Sequence, residues 1–320
     1  MPSFTKTIAA VAVGMATVAS ALPAFPKFTE SQMKIHSVMK RQNAAAAAAG
    51  LTDVDILQFA LTLEHLESEF YRLGFAQFPA ADFQGLGLTQ REIDDLLNIG
   101  KTEEAHVVLL QGAIAQAGVQ PVQACQYNFG FTDAAGMVAT AAVLENVGVS
   151  AYLGAAPLVS DGGILSTAGS ILTVEARHQT FTRAATKIVA VPQAFDTPLS
   201  AKQVFSLAAP FIASCPEGSN LILTAFPTLT MAAGQDAAAL QAGATIQLQS
   251  DASAQATFCA FTTGGVPGGT AFTTFSAATG CQIPQGLAGF VYVNLASAGP
   301  LSGVITDDII LAGPMVMQVS

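Results

Sequence analysis

The 320-residue chain has few charged side chains and no basic segment. Only 11% of its residues are charged, the formal net charge is −10, and the longest basic run is a single Lys-Arg pair. Proteins that bind nucleic acids carry clusters of lysine and arginine that neutralise phosphates, so this composition argues against DNA or RNA as a partner. Beyond the N-terminus, no 18-residue apolar run is free of glycine, proline and charge, and we therefore predict no membrane span.

The chain also lacks several motifs of catalysis and modification. It contains no G-x-S-x-G motif, no P-loop and no C-x-x-C pair, and no histidine follows His178. These absences exclude the commonest sequence signatures of hydrolases, nucleotide-binding proteins and thiol oxidoreductases. No asparagine begins an N-x-S/T sequon, so N-linked glycans are not expected.

The N-terminus has the pattern of a targeting and processing segment. Residues 1–21 combine Lys6, an apolar stretch and an A-S-A cleavage site, which predicts a secretory signal peptide. Residues 22–41 end at the Lys-Arg pair, which indicates either a pro-segment cut at a dibasic site or an ordinary exposed basic pair. An alanine-rich linker would follow at residues 42–51. We therefore expect a secreted protein, located outside the cell or in the cell wall.

Four cysteines form an even set in a chain directed to an oxidising compartment, which favours disulfides over thiol chemistry. Three connectivities are open. We expect Cys125 to pair with Cys215 and Cys259 to pair with Cys281.

Helical periodicity dominates residues 52–192, where glycine, proline and asparagine separate four segments. Thr52 is a good N-cap for the first, and Thr89 with Glu92 forms a capping box for the second. The link at residues 118–131 is long enough to run the length of a bundle. A four-helix bundle is therefore predicted, with helices at residues 53–75, 89–117, 132–153 and 163–190.

The pattern changes in residues 200–320. After a short helix around residues 204–213, the segments are short, rich in β-branched and aromatic residues, and split by glycine and proline. Strands are predicted at residues 221–224, 244–248, 256–262, 270–275, 287–295 and 304–311. The predicted fold class is a mainly α N-terminal bundle followed by a C-terminal all-β, sandwich-like domain.

The second and fourth predicted helices each contain a Glu-x-x-His pair, Glu103 with His106 and Glu175 with His178. Residues three apart on a helix project from one face, so both side chains of a pair can meet one metal ion. Each pair lies on a stripe that is otherwise largely apolar, and we expect the four side chains to point into the core of the bundle.

The first and third predicted helices each carry an inward glutamate followed seven residues later by a tyrosine: Glu64 with Tyr71, and Glu145 with Tyr152. An E-x6-Y helix followed by an E-x-x-H helix thus occurs twice, which predicts a pseudo-twofold site. Glu67 shares the face of Glu64; we prefer Glu64 as the metal ligand because it has the tyrosine spacing, and Glu67 is either an adjacent acid or an extra ligand. Both tyrosines are either hydrogen-bond partners of ligands or ordinary core residues.

Four carboxylates buried without partners would destabilise the fold by several kcal/mol each. Two divalent cations would neutralise them, whereas protonation of the carboxylates would leave the histidines unexplained. A mixed set of oxygen and nitrogen ligands suits iron or manganese, with zinc as the alternative. The predicted ligands are Glu64, Glu103, His106, Glu145, Glu175 and His178.

This ligand pattern resembles that of ferritin-like di-metal carboxylate proteins over about 140 residues. More narrowly, L-Q-F-A-L-T-L-E-H-L-E at residues 57–67 and S-L-A-A-P-F-I at residues 206–212 resemble the secreted fungal ferritin-like family that includes late sexual development and stress-response proteins. That family is also similar to plant desiccation-related proteins. The resemblance implies a ferritin-like domain in a fungal extracellular setting.

Three functions are compatible with these predictions. The first is a di-iron or di-manganese oxidoreductase that reacts with O2 or peroxide, as an oxidase, a ferroxidase or a peroxide-consuming enzyme linked to development or stress. The second is a non-catalytic structural or protective protein of the cell wall or spore matrix, attached through its β domain. The third is extracellular metal sequestration.

Overall fold

The computed structural model describes residues 51–217, 223–232, 234–235 and 240–319. All of these residues belong to one compact unit. The predicted signal peptide, the pro-segment and nearly all of the linker lie outside the described residues, as does half of the strand predicted at residues 221–224.

The described residues contain four long α-helices and two short ones. Each long helix overlaps one of the four predicted segments, and the short helix predicted around residues 204–213 begins three residues earlier than expected. One short helix, between the first two long ones, was not predicted. The helices are α1 (Asp53–Gln77), α2 (Ala80–Gly85), α3 (Gln90–Gln116), α4 (Ala134–Ala155), α5 (Gly162–Ala185) and α6 (Ala201–Ala208).

Side-chain caps define where the long helices begin. Thr52 and Asp55 form a capping box at the start of α1, and the capping box predicted from Thr89 and Glu92 is present at the start of α3. Asp133 accepts a hydrogen bond from a first-turn backbone N–H of α4. Because each cap satisfies a backbone donor that the helix leaves free, these residues favour helix initiation at these positions.

Helix α4 is the most apolar helix of the bundle. By length and composition, the segment Ala134–Leu158 could cross a membrane, but 72% of its apolar window is buried inside the protein. Burial on nearly all sides is typical of a central helix in a packed core. The apolarity of α4 is therefore explained by its position in the bundle.

The β region consists of one antiparallel sheet and three ribbons of two strands each. The sheet has the strand order β10-β9-β6-β7, and the ribbons pair β1 with β2, β3 with β5, and β4 with β8. The strands are β1 (Gln126–Tyr127), β2 (Ile212–Ser214), β3 (Thr230–Met231), β4 (Thr245–Ile246), β5 (Leu248–Gln249), β6 (Phe258–Thr262), β7 (Thr270–Thr274), β8 (Cys281–Gln282), β9 (Gly289–Ala296) and β10 (Ile310–Val319).

Strand β9 shows how the sheet is covered on both faces. Val291 and Val293 point to one side, where they pack with residues of the ribbons such as Ile246. Successive side chains of a strand point to opposite faces, so Tyr292 points to the other side and packs against the helices beside Val147. The predicted combination of a helical bundle with antiparallel β structure is confirmed. The sheet lies between the bundle and the β3–β5 and β4–β8 ribbons, whereas the β1–β2 ribbon packs against the bundle itself.

The last strand differs from its prediction. It was expected at residues 304–311, before a glycine and a proline, but β10 begins at Ile310 and continues to Val319. Its pairing with β9 shifts register between Ala312 and Met315, which is where Gly313 and Pro314 lie. A register shift of this kind accommodates glycine and proline inside a strand, so they did not end it.

Both predicted disulfides are present. The bond between Cys125 and Cys215 joins the α3–α4 connection to the segment after α6, with a Cα–Cα distance of 4.2 Å. The bond between Cys259 and Cys281 joins β6 to β8, with a Cα–Cα distance of 6.3 Å. The first closes the longer loop and is expected to restrict the unfolded chain more.

Candidate metal centre

The six side chains selected from the sequence meet in the centre of the bundle. All four glutamates are 0% exposed, and the two histidines are 8% and 7% exposed. They form two overlapping groups in which the candidate ligand atoms all lie within 4.8 Å of one another. One group is Glu64, Glu103, His106 and Glu175; the other is Glu103, Glu145, Glu175 and His178. Glu103 and Glu175 belong to both groups, so either could help to hold an ion beside each histidine.

Two tyrosines each donate a hydrogen bond to a candidate ligand on another helix. Tyr152 on α4 donates a 2.5 Å hydrogen bond to Oε1 of Glu64 on α1. Tyr71 on α1 donates to Oε1 of Glu145 on α4. Each tyrosine thus reaches the glutamate of the other E-x6-Y helix, and the arrangement has the pseudo-twofold symmetry that the repeated motif predicts.

The ring of His178 is held with one nitrogen toward the carboxylates. Thr102 donates a 2.7 Å hydrogen bond to the carbonyl of Ile99, and its hydroxyl oxygen lies 3.0 Å from Nε2 of His178. Since the threonine proton is already used, Thr102 accepts from the ring, which puts a proton on Nε2. The other nitrogen, Nδ1, lies 2.8 Å from Oε1 of Glu103 and 3.3 Å from Oε2 of Glu145.

These three facing atoms have no hydrogen-bond partner within the described residues. They are close enough for a hydrogen bond, but a proton on Nδ1 of His178 would not be aligned with either oxygen. Both carboxylate oxygens of Glu175 also have no partner there. Buried polar atoms of this kind are rare in native proteins unless an ion or water satisfies them, and a metal ion would.

His106 makes the corresponding contacts in the other half. Its Nδ1 lies 3.2 Å from Oε2 of Glu64, 3.2 Å from Oε2 of Glu103 and 3.4 Å from Oε1 of Glu175. One N–H cannot donate well to three acceptors. Ligand atoms bound at about 2.1 Å to one ion lie about 3.0–3.5 Å apart, so the donor set fits a metal ion.

The pKa values of the buried groups also show that the carboxylates favour positive charge beside them. Burial raises the pKa of Glu64 to about 7, although the hydrogen bond to His106 opposes this. Burial would raise the pKa of Glu103 too, but the close contacts with the imidazoles of His106 and His178 lower it to about 2. Burial would lower the pKa of both histidines, yet their carboxylate partners, Glu103 first, raise it to about 12 for His106 and about 10 for His178. Without metal, both histidines are therefore protonated on both ring nitrogens and positively charged near neutral pH.

A fifth buried carboxylate belongs to this environment. Glu67 is 5% exposed, and burial followed by the charge of Glu175 raises its pKa well above the ordinary value. Gly148 makes room for both side chains: a Cβ there would lie 2.5 Å from Oε2 of Glu175 and 3.0 Å from Oε1 of Glu67. Glu67 thus lies beside the candidate ligands, and Gly148 is needed at this position on α4.

The remaining histidines are elsewhere. Nε2 of His65 lies 3.2 Å from the carbonyl oxygen of Val122, outside the cluster, and His36 lies outside the described residues. Sequence reasoning did not identify Thr102 or Gly148 as functional. Thr102 precedes Glu103, but nothing in a helical stripe indicates that it contacts a histidine of another helix.

A second buried polar cluster joins the bundle to the sheet. The Tyr292 hydroxyl on β9 accepts a 2.6 Å hydrogen bond from Nδ2 of Asn146 and lies 2.8 Å from Oγ of Ser150. Oδ1 of Asn146 accepts from Gln179 and Arg183 on α5. Asn146 and Gln179 directly follow two candidate ligands in sequence, so the sheet contacts the ligand-bearing helices next to the site.

Comparison with known proteins agrees with this geometry. Residues 52–187 match the family model described as ferritin-like domain. The helical bundle is a ferritin-like domain. The chain is also similar to Protein rds1 of Schizosaccharomyces pombe, with 26% identity over 178 residues, which cover 55% of this chain and 44% of that protein. The match with this fungal protein spans about half the length of each of the two proteins.

Proposed function

We propose that the ferritin-like domain holds two iron or manganese ions and acts as an oxidoreductase that reacts with O2 or peroxide. The observation that carries this proposal is the orientation of the two histidines. In each, Nδ1 faces two or three carboxylate oxygens at 2.8–3.4 Å, and no single proton could satisfy these contacts. Two ions would satisfy both halves at once.

The proposed reaction requires a metal that can change its oxidation state. Two divalent ions would balance the four candidate glutamate ligands, and burial favours the neutral form of the fifth buried glutamate, Glu67. Iron and manganese can become trivalent, whereas zinc has no redox chemistry in proteins. This supports iron or manganese over zinc.

When bound, such a pair of ions supplies one-electron steps toward O2 or peroxide and Lewis acidity. The protein's own residues prepare the site. Thr102 fixes the ring of His178 so that Nδ1 faces inward, and the two tyrosines hold the outer glutamates in place. The surrounding apolar side chains exclude bulk water, which strengthens each of these interactions.

We further propose that the protein is secreted in a fungal setting, in the extracellular space or cell wall. The signal-peptide pattern of residues 1–21, the two disulfides and the fungal relative support this. Detection of the mature protein in culture medium or wall extracts would test it, and retention of the chain in the cytosol would contradict it.

The metal proposal is tested by elemental analysis of the purified full chain, followed by assays of O2 and H2O2 consumption. Close to two ions per chain are expected. Glu103→Gln should reduce the metal content to one ion or fewer because Glu103 belongs to both groups of ligand atoms. Glu104→Gln is the matched control, since this neighbouring glutamate is exposed and should leave the metal content unchanged.

The outcomes separate the candidate functions. Turnover of O2 or peroxide that is lost in Glu103→Gln and kept in Glu104→Gln would support the oxidoreductase. A fully loaded protein that consumes neither oxidant would instead favour the structural or sequestering function. A wild-type protein without bound iron or manganese after exposure to both would contradict the metal centre.

A further inference from the structure

An apolar cavity of about 260 Å³ lies at the end of the bundle where α1 and α5 begin and α3 and α4 end. Among the described residues that line it, only Tyr152, Asp161 and Thr167 have polar side chains. Larger side chains would fill such a space in a packed bundle, where interiors are normally as dense as organic crystals. Small residues from all four helices leave it open: Ala60, Ala113, Ala155 and Ala168.

Tyr152 connects the cavity to the candidate metal centre. Its side chain lines the cavity, while its hydroxyl donates the 2.5 Å hydrogen bond to Oε1 of Glu64. Tyr152 is 8% exposed and Glu64 is 0% exposed, so this contact is shielded from solvent. A molecule in the cavity would therefore touch a side chain that directly contacts a candidate ligand.

The volume and lining restrict what the cavity can hold. An apolar cavity of about 150 Å³ admits benzene, and drug-sized ligands occupy about 300–1,000 Å³, so this cavity suits a molecule between these sizes. The described lining contains no lysine, arginine or histidine. The Asp161 carboxylate already accepts hydrogen bonds from the N–H groups of Gly163 and Ile164 at the start of α5. A charged ligand would therefore lose hydration without gaining a partner.

We propose that this cavity binds an uncharged apolar molecule, such as an aromatic ring with a short alkyl chain, as the organic substrate of the site. The binding step depends on the cavity alone. The role of the molecule as substrate rests on the proposed di-metal function. The cavity is too small for a helix or a folded peptide segment, which favours a small molecule over a protein partner as its occupant.

The binding step is tested with n-butylbenzene as the probe and 4-phenylbutyrate as its charged analogue. Calorimetric titration of the full chain, with and without bound metal, is expected to show saturable binding of n-butylbenzene. Because the carboxylate would be desolvated, 4-phenylbutyrate should bind at least tenfold more weakly. Equal affinity for the two compounds, or no binding of n-butylbenzene, would overturn the proposal.

Two variants test whether n-butylbenzene binds in this cavity. Ala113→Leu on α3 and Ala168→Leu on α5 add side-chain volume from different helices and should each weaken n-butylbenzene binding at least tenfold. Ala115→Leu is the control for the first, since Ala115 is exposed and does not line the cavity. Melting curves of each variant check folding, and two variants on different helices protect against local misfolding of one. Wild-type affinity in both folded variants would place binding elsewhere and overturn the proposal.

The substrate role has a separate readout. In metal-loaded protein, n-butylbenzene should change the optical or electron paramagnetic resonance spectrum of the ions, because it contacts Tyr152. Binding of n-butylbenzene by a protein that takes up neither iron nor manganese would show that the cavity proposal holds while the metal proposal fails. Binding to the loaded protein without any spectral change would overturn the substrate role.

Discussion

Two buried polar clusters in the described part of the chain satisfy their hydrogen-bonding groups to different extents. At the interface between bundle and sheet, Tyr292, Asn146, Ser150 and Gln179 hydrogen-bond to one another. In the centre of the bundle, five carboxylates and two histidines approach closely, but several of their atoms have no hydrogen-bond partner within the described residues. The interface cluster satisfies most of its side-chain atoms, with Nε of the adjoining Arg183 as an exception. In the central cluster the unsatisfied atoms are carboxylate oxygens and an imidazole nitrogen that face one another, and this arrangement is suited to hold an added ion.

Metal removal should have the largest effect, because it acts on the cluster that is not satisfied by itself. An ion that binds only the folded protein stabilises it by about 4 kcal/mol at a thousand times its Kd, which for a chain of this length is about 6 °C in melting temperature. Calorimetry with and without a chelator measures the shift. An unchanged melting temperature in protein that has verifiably lost its metal would contradict the inference that bound ions stabilise the central cluster.

Tyr292→Phe should weaken the interface cluster and leave the metal content intact. The change removes the hydroxyl that accepts from Nδ2 of Asn146 and leaves this buried donor without that partner, which should lower the free energy of unfolding by about 1–3 kcal/mol. Oγ of Ser150 keeps its bond to the carbonyl of Asn146. Urea denaturation of metal-free protein measures this. Tyr127→Phe is a milder control, because the half-buried Tyr127 hydroxyl accepts one longer bond of 3.3 Å. Metal loss without loss of stability would mean that the two clusters are not distinct.

Tyr152→Phe should lower the metal affinity and leave the interface cluster intact. Its hydroxyl contacts a candidate ligand, and loss of such a contact typically lowers metal affinity about tenfold. Titration of metal-free protein with Mn²⁺, or with Fe²⁺ without oxygen, gives the affinity, and Tyr71→Phe should behave alike by the pseudo-twofold arrangement. Unchanged affinity in both variants would show that the tyrosines are ordinary core residues.

The smallest effect is expected at Asp53, outside both clusters. Its carboxylate accepts hydrogen bonds from the backbone N–H and hydroxyl of Ser160 and from the N–H of Asp161, so Asp53→Ala should lower the free energy of unfolding by about 1 kcal/mol. The exposed Asp82→Ala is the control.

The hydrogen bonds of Asp53, the backbone bond from Ser160 first, lower its pKa below the ordinary aspartate value. A lowered pKa means that the stabilisation is fully present above the pKa of the unfolded chain and is lost as the pH falls through the folded pKa. The difference between wild type and Asp53→Ala should therefore be constant near neutral pH and shrink in acid. A difference that grows in acid would contradict this assignment.

Much of the candidate site could be predicted because it depends on helical periodicity. Glu103 and His106 are one turn apart, and so are Glu175 and His178, so their faces follow from spacing alone. The helices were predicted to within a few residues since their caps and breakers are local. The bounds of the last strand were not predicted as closely, because the register shift beside Gly313 and Pro314 depends on its pairing with β9.

The sequence by itself determined which side chains point into the bundle and where the long helices lie. Only the tertiary structure decided that Thr102 orients His178, that Gly148 makes room for two carboxylates, that Tyr292 ties the sheet to the bundle, and that a cavity ends at Tyr152. The physical reason is the separation along the chain of the residues that interact. Helical faces arise from neighbours three or four positions away, whereas these contacts join residues brought together only when helices and sheet pack.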